Sequence, residues 1–465
     1  MVGARPLAER VDSVRIQKIS IKGLFGRFNY EIPMNLDDRI TIIHGPNGFG
    51  KTALLRLIAG LFSATDTTLL SVPYSELQVD FENRESLSVL KITQAKDHRS
   101  ARHGQSLRFV YHNRSKSHDF TSPDRRPEQL EFPLHMIDDV IPELDREGTD
   151  VWRNLETGEL LRLEEVVDRY GDRFPTTRRE HRTDVPDWLK AVRQSVPIRF
   201  IQAERLQATT RRNRVRPTRV SSGRAVKLYS EELGDTIKKT LTEYATLSQS
   251  LDRTFPARVV THGQPLSMEE LQTALKEIEE KRARLVESGL LEQEGEETAV
   301  QVLQHIDKTN LPVLSVYVQD ARKKLGVFDP LVAKVELFKR GINDRFVYKQ
   351  LSVNKEGFGF ITVEGDPLDA LNLSSGEQHE IVLLYQLLFR AAENSLILLD
   401  EPEISLHVAW QEQFLPDLRA IAALSGFDAL VATHSPQIIS DRWDLTVELK
   451  GPLHEVRSQP AHISK

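Results

Sequence analysis

The sequence predicts an α/β fold interrupted by a helical insertion. Three observations predict it. A short apolar run, Ile40 to Ile43, enters a glycine-rich loop, Gly45-Pro46-Asn47-Gly48-Phe49-Gly50-Lys51-Thr52, and a leucine-rich helix follows. Toward the other end, the apolar run Leu396 to Leu399 stops at two acids, Asp400 and Glu401. Between them, apolar residues recur at helical spacing from Ile237 to Leu285. Short apolar runs bounded by turn residues read as buried strands, and apolar residues every three or four positions read as amphipathic helix.

The elements follow in order. Val14 and Ile16, then Ile19 and Ile21, alternate with polar residues, and the slip between the pairs predicts a β-bulge. Ile40 to Ile43 is the next strand. Ala53 to Phe62 is a helix carrying Leu54, Leu55, Leu57, Ile58 and Leu61. Segments 76–92 and 106–112 read as further strands. Residues 115–196 are irregular, and Pro123 to Pro133 is mostly loop. Asp138, Asp139, Glu143, Asp145, Glu147 and Asp150 cluster there without the ligand spacing of a metal loop, so they read as a solvated acidic surface.

Ile198 to Ile201 returns to strand character. The tract Arg205 to Lys227 then holds seven arginines, one lysine and no acid. Two heptad-like stretches come next. Ile237, Leu241, Tyr244, Leu247 and Leu251 mark one, and Met268, Leu271, Leu275, Ile278 and Leu285 mark the other. Pro256, Gly263 and Pro265 between them predict an antiparallel helical hairpin, each helix about 25 residues and roughly 35–40 Å long. Glu292 to Glu297 reads as an exposed turn, and helical stretches continue to about residue 350. The remainder is α/β again: strand Phe358 to Val363, helix Ser375 to Ala392, strand Leu396 to Leu399, helix Leu406 to Ala423, and strand Ala429 to Ala432 running into His434. The expected domains are an N-terminal lobe at 1–204, an arginine-rich and helical insertion at 205–350, and a C-terminal lobe at 351–465.

Composition removes several classes of function. The 465 residues are 28% charged and 39% hydrophobic with a net charge of −6, so any surface for nucleic acid is local. The absence of cysteine excludes disulfides, thiolate metal sites and thiol nucleophiles. Met1 to Ser13 is polar and predicts no signal peptide, and no apolar run is long enough to span a membrane. A cytoplasmic location is the expectation.

Gly45 to Thr52 fits G-x-x-x-x-G-K-[ST] in the strand–loop–helix setting that the motif needs. Gly45, Asn47, Gly48, Gly50, Lys51 and Thr52 are the candidate phosphate-binding residues. Backbone N–H groups of such a loop wrap phosphates at the positive end of a helix. Lys51 is placed to reach the β- and γ-phosphates of ATP, and Thr52 to hold Mg²⁺. Asp400 at the end of an apolar strand needs a partner, for which Mg²⁺ is the candidate. Glu401, one residue on, is the candidate base for an attacking water.

Leu373-Ser374-Ser375-Gly376-Glu377-Gln378, Asp400-Glu401-Pro402-Glu403-Ile404-Ser405-Leu406-His407 and Ala432-Thr433-His434-Ser435-Pro436 resemble motifs of the ABC-type ATPases related to the OLD (overcoming lysogenization defect) proteins. That resemblance implies a RecF/SMC-like ATPase head. Among these ATPases, the chain is similar in size and layout to nuclease-less subunits of bacterial anti-phage systems such as the Septu and PARIS types. The resemblance covers both ends of the chain and leaves its middle without a recognised motif. It implies that two heads dimerise, with Ser374 and Gly376 of one meeting the γ-phosphate of the other. It gives His434 a γ-phosphate contact, Ser405 to His407 a place across the interface, and Gln202 a link to Mg²⁺. Ser375 stands where the broader signature often has glycine, and Val408 where this subgroup often has proline.

OLD proteins carry a nuclease after the ATPase. Here 31 residues follow His434, too few to hold one, so the resemblance implies a sensor or scaffold with a separate effector subunit, a nuclease or toxin. The alternative is a RecF/SMC-like ATPase of DNA repair or chromosomes. The arginine tract leaves two readings open, phosphate contacts to DNA or RNA, or pairing with acidic helices. His44 and His379 read as structural.

Overall fold

A computed structural model gives the structure of residues 14–63, 66–93, 105–113, 116–122, 141, 144–148, 151–154, 160–162, 166, 185–202, 222–261, 265–292 and 310–451, and the description below is of these. The acidic cluster lies mostly outside them, as does the arginine tract up to Ser221. The chain divides into two compact units, 1–213 with 391–465, and 214–390.

In chain order, the elements are β1 (Ile16–Leu24), β2 (Phe28–Pro33), β3 (Ile40–His44), α1 (Lys51–Phe62), α2 (Asp66–Ser71), β4 (Glu76–Phe81), β5 (Ser86–Thr93), β6 (Gln105–His112) and β7 (Ser117–Thr121). Three short strands, β8 (Leu144–Arg146), β9 (Val151–Asn154) and β10 (Leu160–Arg162), form a small sheet of their own. Then come α3 (Asp187–Ser195), β11 (Ile198–Gln202), α4 (Ser222–Thr261), α5 (Met268–Glu287), α6 (Leu311–Gly326), α7 (Asp329–Asn343), β12 (Lys349–Asn354), β13 (Gly357–Thr362), β14 (Pro367–Leu368) and α8 (Ser375–Tyr385). The last are β15 (Leu396–Asp400), α9 (Val408–Ser425), β16 (Asp428–Thr433), α10 (Pro436–Ile439) and β17 (Thr446–Glu448).

The first unit contains two larger sheets. One is antiparallel, in the order β2-β1-β4-β5-β6-β7. The slip read in β1 is real: its register against β4 shifts between Ile16 and Lys18, so Ile16, Ile19 and Ile21 all reach the core. The other sheet is parallel, in the order β11-β15-β16-β3-β17. Its centre reads as unbroken hydrophobic sequence because both faces are covered. Every residue of β15 and β16 is buried. A single apolar cluster joins α1 to both sheets, through Leu54, Leu57, Ile58 and Leu61 together with Leu77, Val89, Phe109, Leu398 and Leu430. Such a helix is apolar on nearly all sides because it is enclosed. Each Leu or Ile buried this completely contributes about 1.5–3 kcal/mol. Arg15 ties the two sheets, donating through Nε (2.9 Å) and Nη2 (2.6 Å) to Asp428 at the start of β16.

The second unit differs from the hairpin expected for residues 237–285. α4 has 40 residues, about 60 Å at 1.5 Å per residue, and Pro256 lies inside it rather than in a link. The principal helical neighbour of α5 is α6, which also packs on α4. An interior proline removes a helical hydrogen bond and crowds the preceding turn. Arg258 spans that weak point, donating from Nη2 to the Leu251 carbonyl (2.7 Å) and clasping Asp320 of α6 with Nη1 and Nη2. Residues 351–390, grouped by sequence with the C-terminal lobe, fall in this unit because β13 and α8 pack on α4, and β12 and α8 pack on α7. The helix expected over 375–392 is regular only to Tyr385 and continues as a π-helical turn, Gln386–Arg390. There the Gln386 amide donates to Tyr229 (2.9 Å) and Arg390 pairs with Glu232.

Candidate functional site

The parallel sheet brings the motifs to one edge. The register pairs Gln202 with Asp400, Asp400 with Ala432, and Thr433 with His44. The carboxyl ends of β11, β15, β16 and β3 are therefore in line, and open α/β sheets bind ligands at that edge.

From β3 the chain enters the glycine loop. Pro46, Asn47 and Gly48 are exposed, so the loop opens to solvent. Gly50 takes φ +85, a left-handed turn, and a Cβ there would lie 2.7 Å from Leu24 Cδ2. Only glycine meets both demands. Gly45 is pressed against Leu449, whose carbonyl oxygen would lie 2.9 Å from a Cβ. Tyr30 of β2 donates its hydroxyl to the Phe49 carbonyl (2.9 Å), and the Phe28 ring lies 5.3 Å from that of Phe49. Thus the antiparallel sheet holds the loop in shape.

Lys51 is buried. Its Nζ donates to the Gly45 carbonyl (2.9 Å) and lies 2.5 Å from His434 Nε2. Burial lowers the Lys51 pKa, while Glu401, Asp400 and Glu403 oppose the shift. Burial also lowers the His434 pKa, with Lys51 adding to it, while Glu401 and Glu403 oppose the shift. Thr52 Oγ1 donates to Asp400 Oδ1 (3.0 Å). Gln202 is buried beside Asp400, and its Oε1 has no hydrogen-bond partner among the described residues. Hydroxyl, carboxylate and amide oxygens form the hard donor set that Mg²⁺ prefers.

Glu401 follows β15 with φ 49 and ψ 54, left-handed for a non-glycine residue. Its N–H donates to the Ala432 carbonyl (2.8 Å), and its Oε1 lies 3.5 Å from His434 Nε2. One 3-10 turn, Pro402–Ser405, then returns Glu403 to the end of β16. Glu403 Oε1 accepts from Thr433 Oγ1 and from the His434 N–H, both at 2.8 Å. Gln411 of α9 donates to the Glu403 carbonyl (3.2 Å) and accepts from Ser435 Oγ (3.1 Å). The sequence reading assigned no role to Glu403 or Gln411. The second acid in Asp-Glu-Pro-Glu, two residues past a candidate base, was the one available signal.

Ser374 and Gly376 belong to the second unit. Ser374 caps α8: its Oγ accepts from the Glu377 N–H (3.3 Å), and Glu377 accepts from the Ser374 N–H (2.9 Å). Lys349 holds Glu377 (2.9 Å). Ser374 and Ser375 are exposed, and a Cβ on Gly376 would meet nothing within 4 Å. The start of α8, the positive end of its dipole, is therefore open to an anion. His44 lies edge-on to Trp443 (5.5 Å), and His379 is buried in α8. Among the described residues no group of three or more His, Cys, Asp or Glu side chains could hold a metal, and no helix is long and apolar enough to cross a membrane.

Solved structures resembling the chain include the Smc head domain with an extended coiled coil bound to the C-terminal domain of ScpA from Pyrococcus furiosus. It shares 14% identity over 92% of this chain and 91% of that one, with a TM-score of 0.31. The SMC head domain from Thermotoga maritima shares 14% identity over 91% of each chain, with a TM-score of 0.30. Likeness at this level assigns the chain no property. No curated protein matches it. The model of one family matches residues 169–440, a span that holds the signature, Asp400, Glu401 and His434 but not the glycine loop. That family is described as "AAA domain, putative AbiEii toxin, Type IV TA system". With the match covering more than half of its length, the chain belongs to this family of AAA domains, and its fold is α/β with a P-loop at the carboxyl edge of the parallel sheet.

Proposed function

We propose that the chain binds ATP with Mg²⁺ and hydrolyses it as a head-to-head homodimer. The observation that carries this reading is the convergence of Lys51, Thr52, Asp400, Glu401 and His434 at the carboxyl edge of one sheet. The loop from Gly45 to Gly50 cradles the phosphates, and Lys51 and His434 meet the γ-phosphate. Glu401 orients the attacking water and accepts its proton as the bond to the leaving ADP oxygen breaks. Thr52, Asp400 and Gln202 would hold Mg²⁺, which when bound neutralises charge on the phosphate oxygens. Ser374 and Gly376 of one protomer face the nucleotide of the other, and Ser405 to His407 pack across the interface.

In the cell, the dimer acts as sensor or scaffold in a bacterial anti-phage complex whose nuclease or toxin is a separate subunit. The family description, which names a putative toxin of a toxin–antitoxin system, supports a defence setting. Lys51→Ala tests the nucleotide site: equilibrium binding of ATP should be lost, and normal affinity in that variant rejects the assignment. Protection of host cells in a phage plaque assay should be lost in the same variant. Unchanged protection would separate any defence role from ATP.

A further inference from the structure

We propose that Glu403 and Gln411 are positioning residues that lock His434 to the segment following Glu401. The proposal rests on the ATPase reading above and goes beyond the motif residues. A single carboxylate oxygen of Glu403 takes two donors from the strand end, the Thr433 hydroxyl and the His434 N–H, both at 2.8 Å. Those two bonds fix the chain on the N-terminal side of the His434 Cα. The other oxygen, Oε2, is buried with no partner among the described residues, so the carboxylate is committed to this contact. Gln411 closes the arrangement from the helix side. Its amide donates to the carbonyl of Glu403 (3.2 Å) and lies 3.5 Å from that of Leu406, while its oxygen accepts from Ser435 (3.1 Å).

The two residues thus bracket His434, one through residues 433 and 434, the other through residue 435. Both are anchored on the 402–406 turn, which Glu401 begins. A displacement of that turn therefore moves His434 together with Glu401, and their 3.5 Å separation is preserved. A chain lacking the bracket would hold the same groups at less regular distances. Misplacement of reacting groups by about 1 Å lowers turnover by as much as a hundredfold. Neither residue touches the reacting atoms.

The test is steady-state ATP hydrolysis by the full chain, with ATP binding and the melting temperature measured on the same samples. Glu403→Ala should lower kcat by about ten- to a hundredfold while KM changes less than about threefold. Glu403→Gln keeps an oxygen that accepts both donors, so it should restore kcat to within about threefold of wild type. Gln411→Leu, of similar size and unable to form the bracket, should lower kcat by about three- to tenfold and serves if Glu403→Ala does not fold. A separate readout is the rate at which diethyl pyrocarbonate modifies His434, mapped by mass spectrometry, which should rise in Glu403→Ala and in Gln411→Leu. Wild-type kcat and an unchanged modification rate in the folded variants overturn the positioning role, as does equal loss in Glu403→Ala and Glu403→Gln. A wild-type chain that binds no ATP rejects the ATPase reading instead, and the modification rate still decides whether the bracket exists.

Discussion

Glu401 holds a backbone conformation that costs a non-glycine residue on the order of 1–3 kcal/mol. The left-handed turn lets one short segment aim Asp400 at Thr52, Glu401 at His434 and Glu403 at Thr433. Glu401→Gln keeps the shape and removes the base. It should bind ATP normally and release phosphate at least about a hundredfold more slowly. Wild-type turnover would move the base elsewhere. His379 gives a second expectation at this scale. Burial lowers its pKa from 6.5 to about 4, so the folded chain resists a proton that the unfolded chain accepts. Stability is therefore full above about pH 6.5 and is lost as the pH falls toward 4, by up to roughly 3 kcal/mol. Urea melts of wild type and His379→Leu at pH 7 and pH 4.5 check this, and the drop should be smaller in the variant. Lys51, Thr52, Asp400 and Glu401 are legible because each has a fixed offset from a strand or the glycine loop, whereas His434 is legible only through the resemblance of its motif to a known family's. Glu403 and Gln411 act through backbone groups on another strand, and no spacing along the chain announces such a contact.

Among the elements, the central strands were readable to within a residue or two, since a strand covered on both faces has little sequence freedom. The helical unit was less so. Periodicity identified helices near 237–251 and 268–285, but α4 runs from Ser222 to Thr261 because Arg258 and Asp320 hold the chain helical past Pro256. A proline read locally ends a helix, and a distant carboxylate reverses that outcome. Arg258→Ala leaves Asp320, 4% exposed, without its guanidinium partner. It should destabilise the second unit by about 2–3 kcal/mol, after allowing for the partly exposed arginine. Hydrogen exchange of amides 252–261 should accelerate ahead of the rest of α4. Uniform acceleration would show that the clasp is not local.

For the molecule as a whole, the reading makes catalysis a property of two chains. Ser374→Arg and Lys51→Ala should each be inactive alone. Mixed in equal amounts, they should regain about a quarter of wild-type activity, because half the dimers hold one complete site. Phosphate release after subunit exchange checks this, and no recovery argues that each chain supplies its own signature. The domain boundaries were hard to read because each unit takes segments distant in sequence: the first closes on residues 391–465 and the second reaches back from α8 to α4. β3 lies between β16 and β17, so the strand that feeds the glycine loop has no neighbours in the sheet until the last strands exist. A ribosome adding about 5–20 residues per second needs roughly 20–70 s to pass from Lys51 to Asp400. During that interval the emerging chain displays an unpaired apolar strand and a nucleotide loop with nothing opposite it. The protein is therefore born dependent on its own completion, and a chain stalled in translation before β16 leaves the strand that feeds the glycine loop unpaired and exposed to chaperones and proteases.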